Sequence, residues 1–195
     1  MAKIIIVLLS YLIGSIPFSL LVPKLMAGVD IRTTGSGNVG ATNVLRTLGA
    51  KGAIIALIGD VLKGFVAAWL GMMVGGTLLA AICGLVVVIG HCYSVFLKFN
   101  SGKGVATAAG VMLYLMPKII IVLLVTFVII TFLSRYVSLA SITVAALFPV
   151  MVILFNFPLE YTIMSILMAI LVIYRHKENI ERLRQGTESK IGQKM

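Results

Sequence analysis

Residues 105–133, VATAAGVMLYLMPKIIIVLLVTFVIITFL, decide how the chain is arranged in a membrane. They are long enough for one steeply tilted membrane-spanning helix or for two short ones. Pro117 favours two helices, because proline ends or kinks a helix, and Lys118 belongs at the membrane surface. The stretch therefore predicts two short spans, Val105–Met116 and Lys118–Leu133.

Apolar residues dominate the rest of the chain as well. Of the 195 residues, 61% are hydrophobic and 11% are charged, and the mean hydropathy is +1.15. Soluble domains have about 45–50% apolar and about 25% charged residues. The composition predicts an all-α, polytopic integral membrane protein with one transmembrane domain over residues 1–195. The other five predicted spans, which bring the total to seven, are Ile4–Met26, Gly52–Val74, Leu78–Leu97, Ser138–Phe155 and Leu159–Tyr174.

The basic residues predict the orientation of these spans. With seven spans, one side carries only Lys3 and Lys118, and the other carries Lys24, Arg32, Arg46, Lys51, Lys98, Lys103, Arg135 and the whole tail. Cytoplasmic span ends carry the excess of Lys and Arg. We therefore expect the N-terminus outside, the C-terminus in the cytoplasm, a cytoplasmic loop 27–51 and a cytoplasmic tail 175–195. The net charge of +10 is then explained by the orientation of the spans and by attraction to anionic lipid headgroups, and it does not indicate nucleic-acid binding.

Two other features predict no chemistry. The N-terminal apolar stretch is too long for a signal-peptide core and lacks a small-x-small cleavage pattern, so it is interpreted as a retained span. Cys83 and Cys92 lie about 13 Å apart along one predicted helix, too far for a disulfide. Without further ligands nearby they predict no metal site.

Residues 35–46, GSGNVGATNVLR, form the first polar motif. Three glycines are interleaved with polar side chains, so backbone N–H groups can converge on an anion. The phosphate-loop pattern GxxxxGK[ST] fails, because Ala41 stands where lysine is required. A flexible connector is the alternative, although a connector does not need so many polar side chains, namely Ser36, Asn38, Thr42, Asn43 and Arg46.

Residues 101–107, SGKGVAT, form the second motif. Lys103 at the start of the fourth span combines a full positive charge with the N–H groups and dipole of a helix N-terminus. Flanking glycines let the backbone approach a phosphate closely. The alternative is a lysine that only reaches to the membrane surface.

Residues 174–190, YRHKENIERLRQGTESK, form the third motif. A short amphipathic helix would carry His176, Asn179 and Arg182 near one face, with Gly186 ending it. The alternative is a basic, lipid-bound tail.

Within the spans, Asp60 and Lys63 are spaced to pair on one helix. His91, Ser138 and Ser141 are weaker candidates near span ends. Taken together, the motifs place Arg, Lys, Asn, Ser and Gly residues at the cytoplasmic membrane surface, beside hydrocarbon. That placement suits an enzyme that joins a water-soluble phosphate ester to a fatty chain.

These motifs resemble those of the bacterial acyl-phosphate:glycerol-3-phosphate acyltransferases. The matching stretches are SGNVGATN at 36–43, GKGVAT at 102–107 and HxxNxxRLxxGxE from His176 to Glu188, with DVLKG at 60–64, GHCY at 90–93 and RYVSLASI at 135–142 in support. The resemblance implies an enzyme of the bacterial cytoplasmic membrane with its active site on the cytoplasmic face. It would move a fatty acyl group from acyl phosphate to the primary hydroxyl of glycerol 3-phosphate, giving lysophosphatidic acid and phosphate. The resemblance implies no cofactor, and it implies a functional link to the enzyme that makes acyl phosphate. The six acidic residues contain no Asp-rich motif, so no metal site is predicted.

The resemblance also assigns roles to individual residues. It implies catalytic roles for Ser36, Asn38, Arg46, His176 and Asn179, and structural roles for Asp60 and Glu188. The implied substrate-binding residues are Gly37, Gly40, Thr42, Asn43, Lys63, His91, Gly102, Lys103, Gly104, Thr107, Ser141 and Arg182. Two positions depart from the family: Ser101 replaces a usual glycine and Ser94 a frequent proline.

Three other functions are alternatives to this acyl transfer. An acyltransferase with an H-x4-D dyad is excluded, because Glu181 and Phe96 stand five residues after His176 and His91. A metal-dependent phosphotransferase lacks an Asp-rich motif. A transporter of organic phosphates stays open as the alternative, although it needs polar residues near the bilayer midplane. Either His176 or an oxygen of the acyl phosphate could take the proton of the attacking hydroxyl.

Overall fold

The computed structural model describes residues 1–192 and is built from α-helices joined by short connections. The described part of the chain contains no β-strand, which confirms the predicted fold class. The helices are α1 (Ala2–Ser15), α2 (Phe18–Ala27), α3 (Ala41–Cys92), α4 (Val105–Leu115), α5 (Pro117–Ser134), α6 (Val137–Leu154), α7 (Leu159–Arg175) and α8 (Lys177–Arg184), with 3-10 turns at Ile31–Thr33 and Val95–Leu97.

Three glycines interrupt α3 and divide it into segments 41–48, 50–74 and 77–92. Gly49 and Gly76 have φ of 80° and 69°, in the left-handed region that favours glycine, and Gly75 is also non-helical. The second and third segments fold back on each other as a hairpin. A Cβ placed on Gly71 would lie only 2.8 Å from the Cα of Ala80.

Small residues let the helices cross closely. A Cβ on Gly64 would overlap the carbonyl of Thr107, and one on Gly110 would overlap that of Val61, so α4 crosses segment 50–74 with backbones in contact. In the same way α1 crosses segment 77–92 at Gly14. Close approach at small residues is the usual way in which helices associate inside a membrane.

By length and composition, three of the described helical stretches can cross a membrane: Ala41–Leu97, Pro117–Ser134 and Val137–Leu154. Two bent pairs, α1 with α2 (42°) and α7 with α8 (57°), raise the number to five if each pair is one span, and α4 is a shorter apolar helix. The predicted helix break before Pro117 is confirmed. The count of seven spans and their orientation stay predictions.

Two predicted segments have an internal structure that the sequence did not indicate. The first span is not one helix, because the chain leaves the helix at Ile16 and Pro17 before α2 begins. Proline lacks an N–H group and disfavours helical backbone in the residue before it. The connection 27–51 is not a plain loop either, since residues 41–48 are helical.

Candidate active site

The polar side chains meet at one end of the helix bundle, which we call the polar end: residues 30–47, residues 98–104 and the tail 175–192. The Arg46 guanidinium donates to the carbonyl of Ser189 at 3.2 Å, and Arg175 donates to that of Ser101 at 2.8 Å. All three sequence motifs therefore lie together.

Asn43 fixes the shape of the first motif. Its side-chain oxygen accepts the backbone N–H of Ser36 at 3.0 Å, and its amide nitrogen donates to the carbonyls of Ile31 (2.8 Å) and Thr34 (3.1 Å). The residue is 1% exposed. The buried amide of Asn43 thus holds the loop together, and its substrate contact stays a prediction.

The rest of the first motif surrounds this amide. Ser36 is exposed, Asn38 and Thr42 are half-buried, and Gly37 adopts a φ of 68°. A Cβ on Gly40 would lie 2.8 Å from the Asn38 amide nitrogen. The Ser36 hydroxyl is therefore exposed at the surface of this loop, and the Asn38 and Thr42 side chains are partly exposed there.

Lys103 lies at the centre of the polar end. It is followed by Gly104, whose φ of 86° lets the chain turn into α4. The half-buried ammonium donates to the side-chain oxygen of Asn179. Burial, reinforced by the charge of Arg182, lowers the pKa of Lys103 to about 8. This cation is thus held at a helix N-terminus, where anions bind.

The tail forms a hydrogen-bonded network around Glu188. Its carboxylate accepts from the Ser138 hydroxyl at 2.6 Å, the Asn179 amide at 2.7 Å and Nε of Arg182 at 2.7 Å. Burial alone would raise the pKa of Glu188, but these three donors outweigh it and hold the pKa below its usual value. Glu188 therefore orients Asn179 and Arg182, which fits the structural role implied for it.

His176 is buried where α7 meets α8. Its Nδ1 lies 2.7 Å from the carbonyl of Val172, and since a carbonyl only accepts, Nδ1 carries the hydrogen. Burial lowers the pKa of His176 to about 4, despite the opposing effect of that hydrogen bond. The ring is thus neutral at pH 7 and keeps an Nε2 lone pair that can accept a hydrogen bond.

A second charged cluster, the inner network, lies within the helices. The Asp60 carboxylate pairs with Nζ of Lys63 at 2.8 Å, accepts the Ser19 hydroxyl at 2.7 Å and lies 3.6 Å from Nδ1 of His91. Lys63 also donates to the carbonyl of Ile16 at 3.0 Å. Both members of the ion pair are buried.

The inner network changes the interpretation of three predicted substrate-binding residues. The Lys63 ammonium faces Asp60 and the Thr107 hydroxyl contacts Nδ1 of His91 at 3.1 Å, so the structure does not bring Lys63 or Thr107 into the polar end. Nε2 of His91 lies against Gly102, where a Cβ would overlap it. His91 thus packs against the second motif at Gly102.

A narrow apolar cleft opens between α4, α6 and α7. Its volume is about 30 Å³, and its walls include Val105, Phe148 and Val172. Val105 follows Lys103 by two residues and Val172 precedes His176 by four, so the cleft begins beside the polar end. Ser141 also lines it, with its hydroxyl donating to the carbonyl of Val137 at 2.9 Å.

Sequence reasoning missed Arg175. Its guanidinium contacts the second motif only through backbone carbonyls and an asparagine side chain. Backbone acceptors leave no mark on residue identity, so the only signal was the position of Arg175 directly before His176.

Comparisons with known proteins agree with this geometry. A family profile described as glycerol-3-phosphate acyltransferase matches residues 4–186. A glycerol-3-phosphate acyltransferase of Syntrophomonas wolfei is 51% identical, covering 100% of both chains, and one of Carboxydothermus hydrogenoformans is 46% identical over 97% of this chain and 96% of its own.

Two solved structures have the same fold. Both are of PlsY, an integral membrane glycerol 3-phosphate acyltransferase. The glycerol 3-phosphate form of PlsY is 41% identical to this chain, with a TM-score of 0.95. The lysophosphatidic acid form is 39% identical, with a TM-score of 0.92. Each match covers 98% of this chain and 96% of the PlsY chain. The transporter alternative is therefore set aside. The chain belongs to the glycerol-3-phosphate acyltransferase family and is an integral membrane enzyme.

Proposed function

We propose that the chain transfers a fatty acyl group from acyl phosphate to the primary hydroxyl of glycerol 3-phosphate, giving lysophosphatidic acid and phosphate. One observation carries the proposal: the cluster of Lys103, Asn179 and Arg182 lies beside the apolar cleft between α4, α6 and α7. The cluster offers charge to phosphate groups and the cleft offers an apolar surface to an acyl chain. Solved relatives in glycerol 3-phosphate and lysophosphatidic acid forms support both ligands.

The cationic groups have an electrostatic task. Acyl phosphate and glycerol 3-phosphate both carry negative charge and repel each other, so they approach only where cations compensate that charge. Three different parts of the fold supply these cations: Lys103 comes from the loop before α4, Arg46 from α3 and Arg182 from α8. Fixed charges of this kind orient the reactants and stabilise charge that shifts during transfer.

The reaction itself needs one nucleophilic attack and one proton transfer. The primary hydroxyl oxygen attacks the acyl carbonyl carbon, the bond from that carbon to the phosphate oxygen breaks, and the departing phosphate takes the hydroxyl proton. His176, neutral and with a pKa of about 4, is a weak proton acceptor. We propose that its Nε2 accepts a hydrogen bond from the hydroxyl and orients it, while the donor's own oxygen removes the proton.

The proposed location of the active site follows from the predicted orientation of the spans. The polar end gathers the loop, the turn and the tail that the positive-inside rule assigns to the cytoplasm. We place the active site on the cytoplasmic face of the bacterial cytoplasmic membrane. There the enzyme that makes acyl phosphate can deliver its product to the apolar surface around the cleft.

The test compares donors. Purified protein receives glycerol 3-phosphate with either palmitoyl phosphate or palmitoyl-CoA, and lysophosphatidic acid is measured. Lys103→Ala is assayed in parallel, with Lys98→Ala as its control, because Lys98 is an exposed lysine of the same loop. We expect product from palmitoyl phosphate only. We also expect kcat/KM for glycerol 3-phosphate to fall about 100-fold in Lys103→Ala, about 2.7 kcal/mol, and to change less than twofold in Lys98→Ala.

A different result would contradict each part of the proposal. Product from palmitoyl-CoA would overturn the donor, and an unchanged KM for glycerol 3-phosphate in Lys103→Ala would overturn the phosphate site. For the proton transfer, His176→Ala should lower kcat by a factor that does not change with pH. A complete loss that added imidazole rescues would identify His176 as the base.

A further inference from the structure

Arg175, the last residue of α7, holds the loop that carries Lys103. Its Nε donates to the carbonyl of Gly102 at 3.2 Å, and its Nη2 donates to the carbonyl of Ser101 at 2.8 Å and to the Asn100 side-chain oxygen at 3.4 Å. One guanidinium thus contacts the three consecutive residues that lead into Lys103. Such a planar fork of donors cannot be reproduced by a lysine.

The side chain of Arg175 is itself held in place. Its guanidinium carbon lies 5.2 Å from the centre of the Tyr93 ring, in the geometry of a cation–π contact. The carbonyl of Tyr93 in turn accepts the hydroxyl of Tyr11 at 2.8 Å. The fork is therefore anchored to α1 and to the end of α3 as well as to α7.

The loop depends on contacts from outside for its shape. Lys98 and Phe99 have φ of 52° and 60°, in a region that side chains with a Cβ seldom adopt. Gly102 also lies against Nε2 of His91 and the carbonyl of Val39, leaving no space for a Cβ. Gly102 thus contacts the first motif, His91 and Arg175.

We propose that Arg175 is a positioning residue: it fixes the backbone of residues 100–102 so that the Lys103 ammonium reaches Asn179, and it does not contact substrate. The inference rests on the proposed binding of the glycerol 3-phosphate phosphate by Lys103. Two cations, Arg175 and Arg182, and the carboxylates of Glu178 and Glu188 act on the charge of Lys103 from α7, α8 and the tail. Because Arg175 is itself one of these charges, its geometric contribution is isolated only by a variant that keeps the charge and removes the fork.

The deciding variant is Arg175→Lys, which keeps the charge and removes the fork. We expect KM for glycerol 3-phosphate to rise about tenfold, while KM for palmitoyl phosphate stays within twofold and the thermal unfolding midpoint is unchanged. Arg184→Lys, an exposed arginine on α8, is the matched control and should change neither constant. Asn100→Ala removes a single contact at the exposed edge of the loop and should raise KM for glycerol 3-phosphate about twofold.

A second measurement does not depend on activity. The rate at which Lys103 is acetylated by a water-soluble reagent, followed by mass spectrometry, should rise severalfold in Arg175→Lys and stay the same in Arg184→Lys. In the double variant Arg175→Lys/Lys103→Ala, the effect on KM should not exceed that of Lys103→Ala alone, because residues that act through one another are not additive.

The outcomes separate this inference from the proposed function. A raised acetylation rate of Lys103 in Arg175→Lys, together with an unchanged KM for glycerol 3-phosphate in both Arg175→Lys and Lys103→Ala, would support positioning and overturn the phosphate role of Lys103. An unchanged acetylation rate would overturn positioning. Additive effects in the double variant, or a raised KM for palmitoyl phosphate, would show that Arg175 contacts substrate directly.

Discussion

The two charged clusters of this enzyme are built from the same residue types and have opposite surroundings. In the inner network, Asp60 and Lys63 are both buried, and their partners come from helices that cross one another. At the polar end, Lys103 and Arg182 are only partly covered, and their partners Asn179 and Glu188 come from the tail. A charge with every partner fixed inside the protein serves the fold, and a charge left partly open to solvent remains available for a ligand.

The largest expected effect tests the inner network. Asp60→Leu leaves the Lys63 ammonium buried without its carboxylate, and breaking a buried pair in this way costs about 3–5 kcal/mol. We expect a large fall in the thermal unfolding midpoint in detergent. The double variant Asp60→Leu/Lys63→Met should recover most of it, because an apolar replacement of a buried pair is often neutral.

The exposed pair Asp30–Arg32 supplies the control. Its atoms are 2.6 Å apart, closer than those of Asp60 and Lys63, yet both side chains are substantially exposed. Arg32→Gln should leave the unfolding midpoint unchanged, since exposed pairs contribute little. If Asp60→Leu shifts the midpoint no more than Arg32→Gln does, the inner network does not stabilise the fold.

A pH profile tests the polar end with a smaller effect. The pKa of Lys103 is lowered to about 8, so its ammonium is present below pH 8 and is lost as the pH rises through that value. We expect kcat/KM for glycerol 3-phosphate, which reports the free enzyme, to fall as the pH rises from about 7.5 to 9.5. In Lys103→Arg the side chain keeps its charge throughout, so this decline should vanish even if the overall activity is lower. A decline that persists in Lys103→Arg would assign it to another group.

The sequence predicted the helix ends that local chemistry dictates. Gly75 and Gly76 mark the hairpin of α3, and Pro117 starts α5, because glycine and proline act on the backbone at their own positions. The break at Pro17 was missed, since an apolar stretch of that length predicts an uninterrupted span. Gly49 was also missed, because its polar surroundings are typical of a loop.

The site was predictable to the extent that side chains contact side chains. Lys103, Asn179 and Glu188 were assigned from motif residues, and the structure joins them directly. Asn43 and Arg175 could not be assigned their tasks, because both act on backbone atoms that are the same in every residue. Tertiary contacts to the main chain are invisible to a pattern of residue types.

The smallest expected effect concerns one hydroxyl at the polar end. Ser138 on α6 donates to Glu188 at 2.6 Å and so connects the tail to the bundle. In Ser138→Ala, Glu188 keeps its bonds to Asn179 and Arg182, so the network should loosen without collapsing. We expect a loss of about 1 kcal/mol in transition-state stabilisation, a typical value for one hydrogen bond, or roughly a fivefold fall in kcat/KM.

A neighbouring hydroxyl on the same helix makes the comparison specific. Thr143 donates to the carbonyl of Leu139 within α6 at 2.9 Å and is remote from the tail. Thr143→Ala removes a hydroxyl of similar size and should leave kcat/KM within twofold. Equal losses in both variants would mean that α6 responds as a whole. A loss confined to Ser138→Ala would show that the tail must be connected to the bundle for Asn179 and Arg182 to face the substrate.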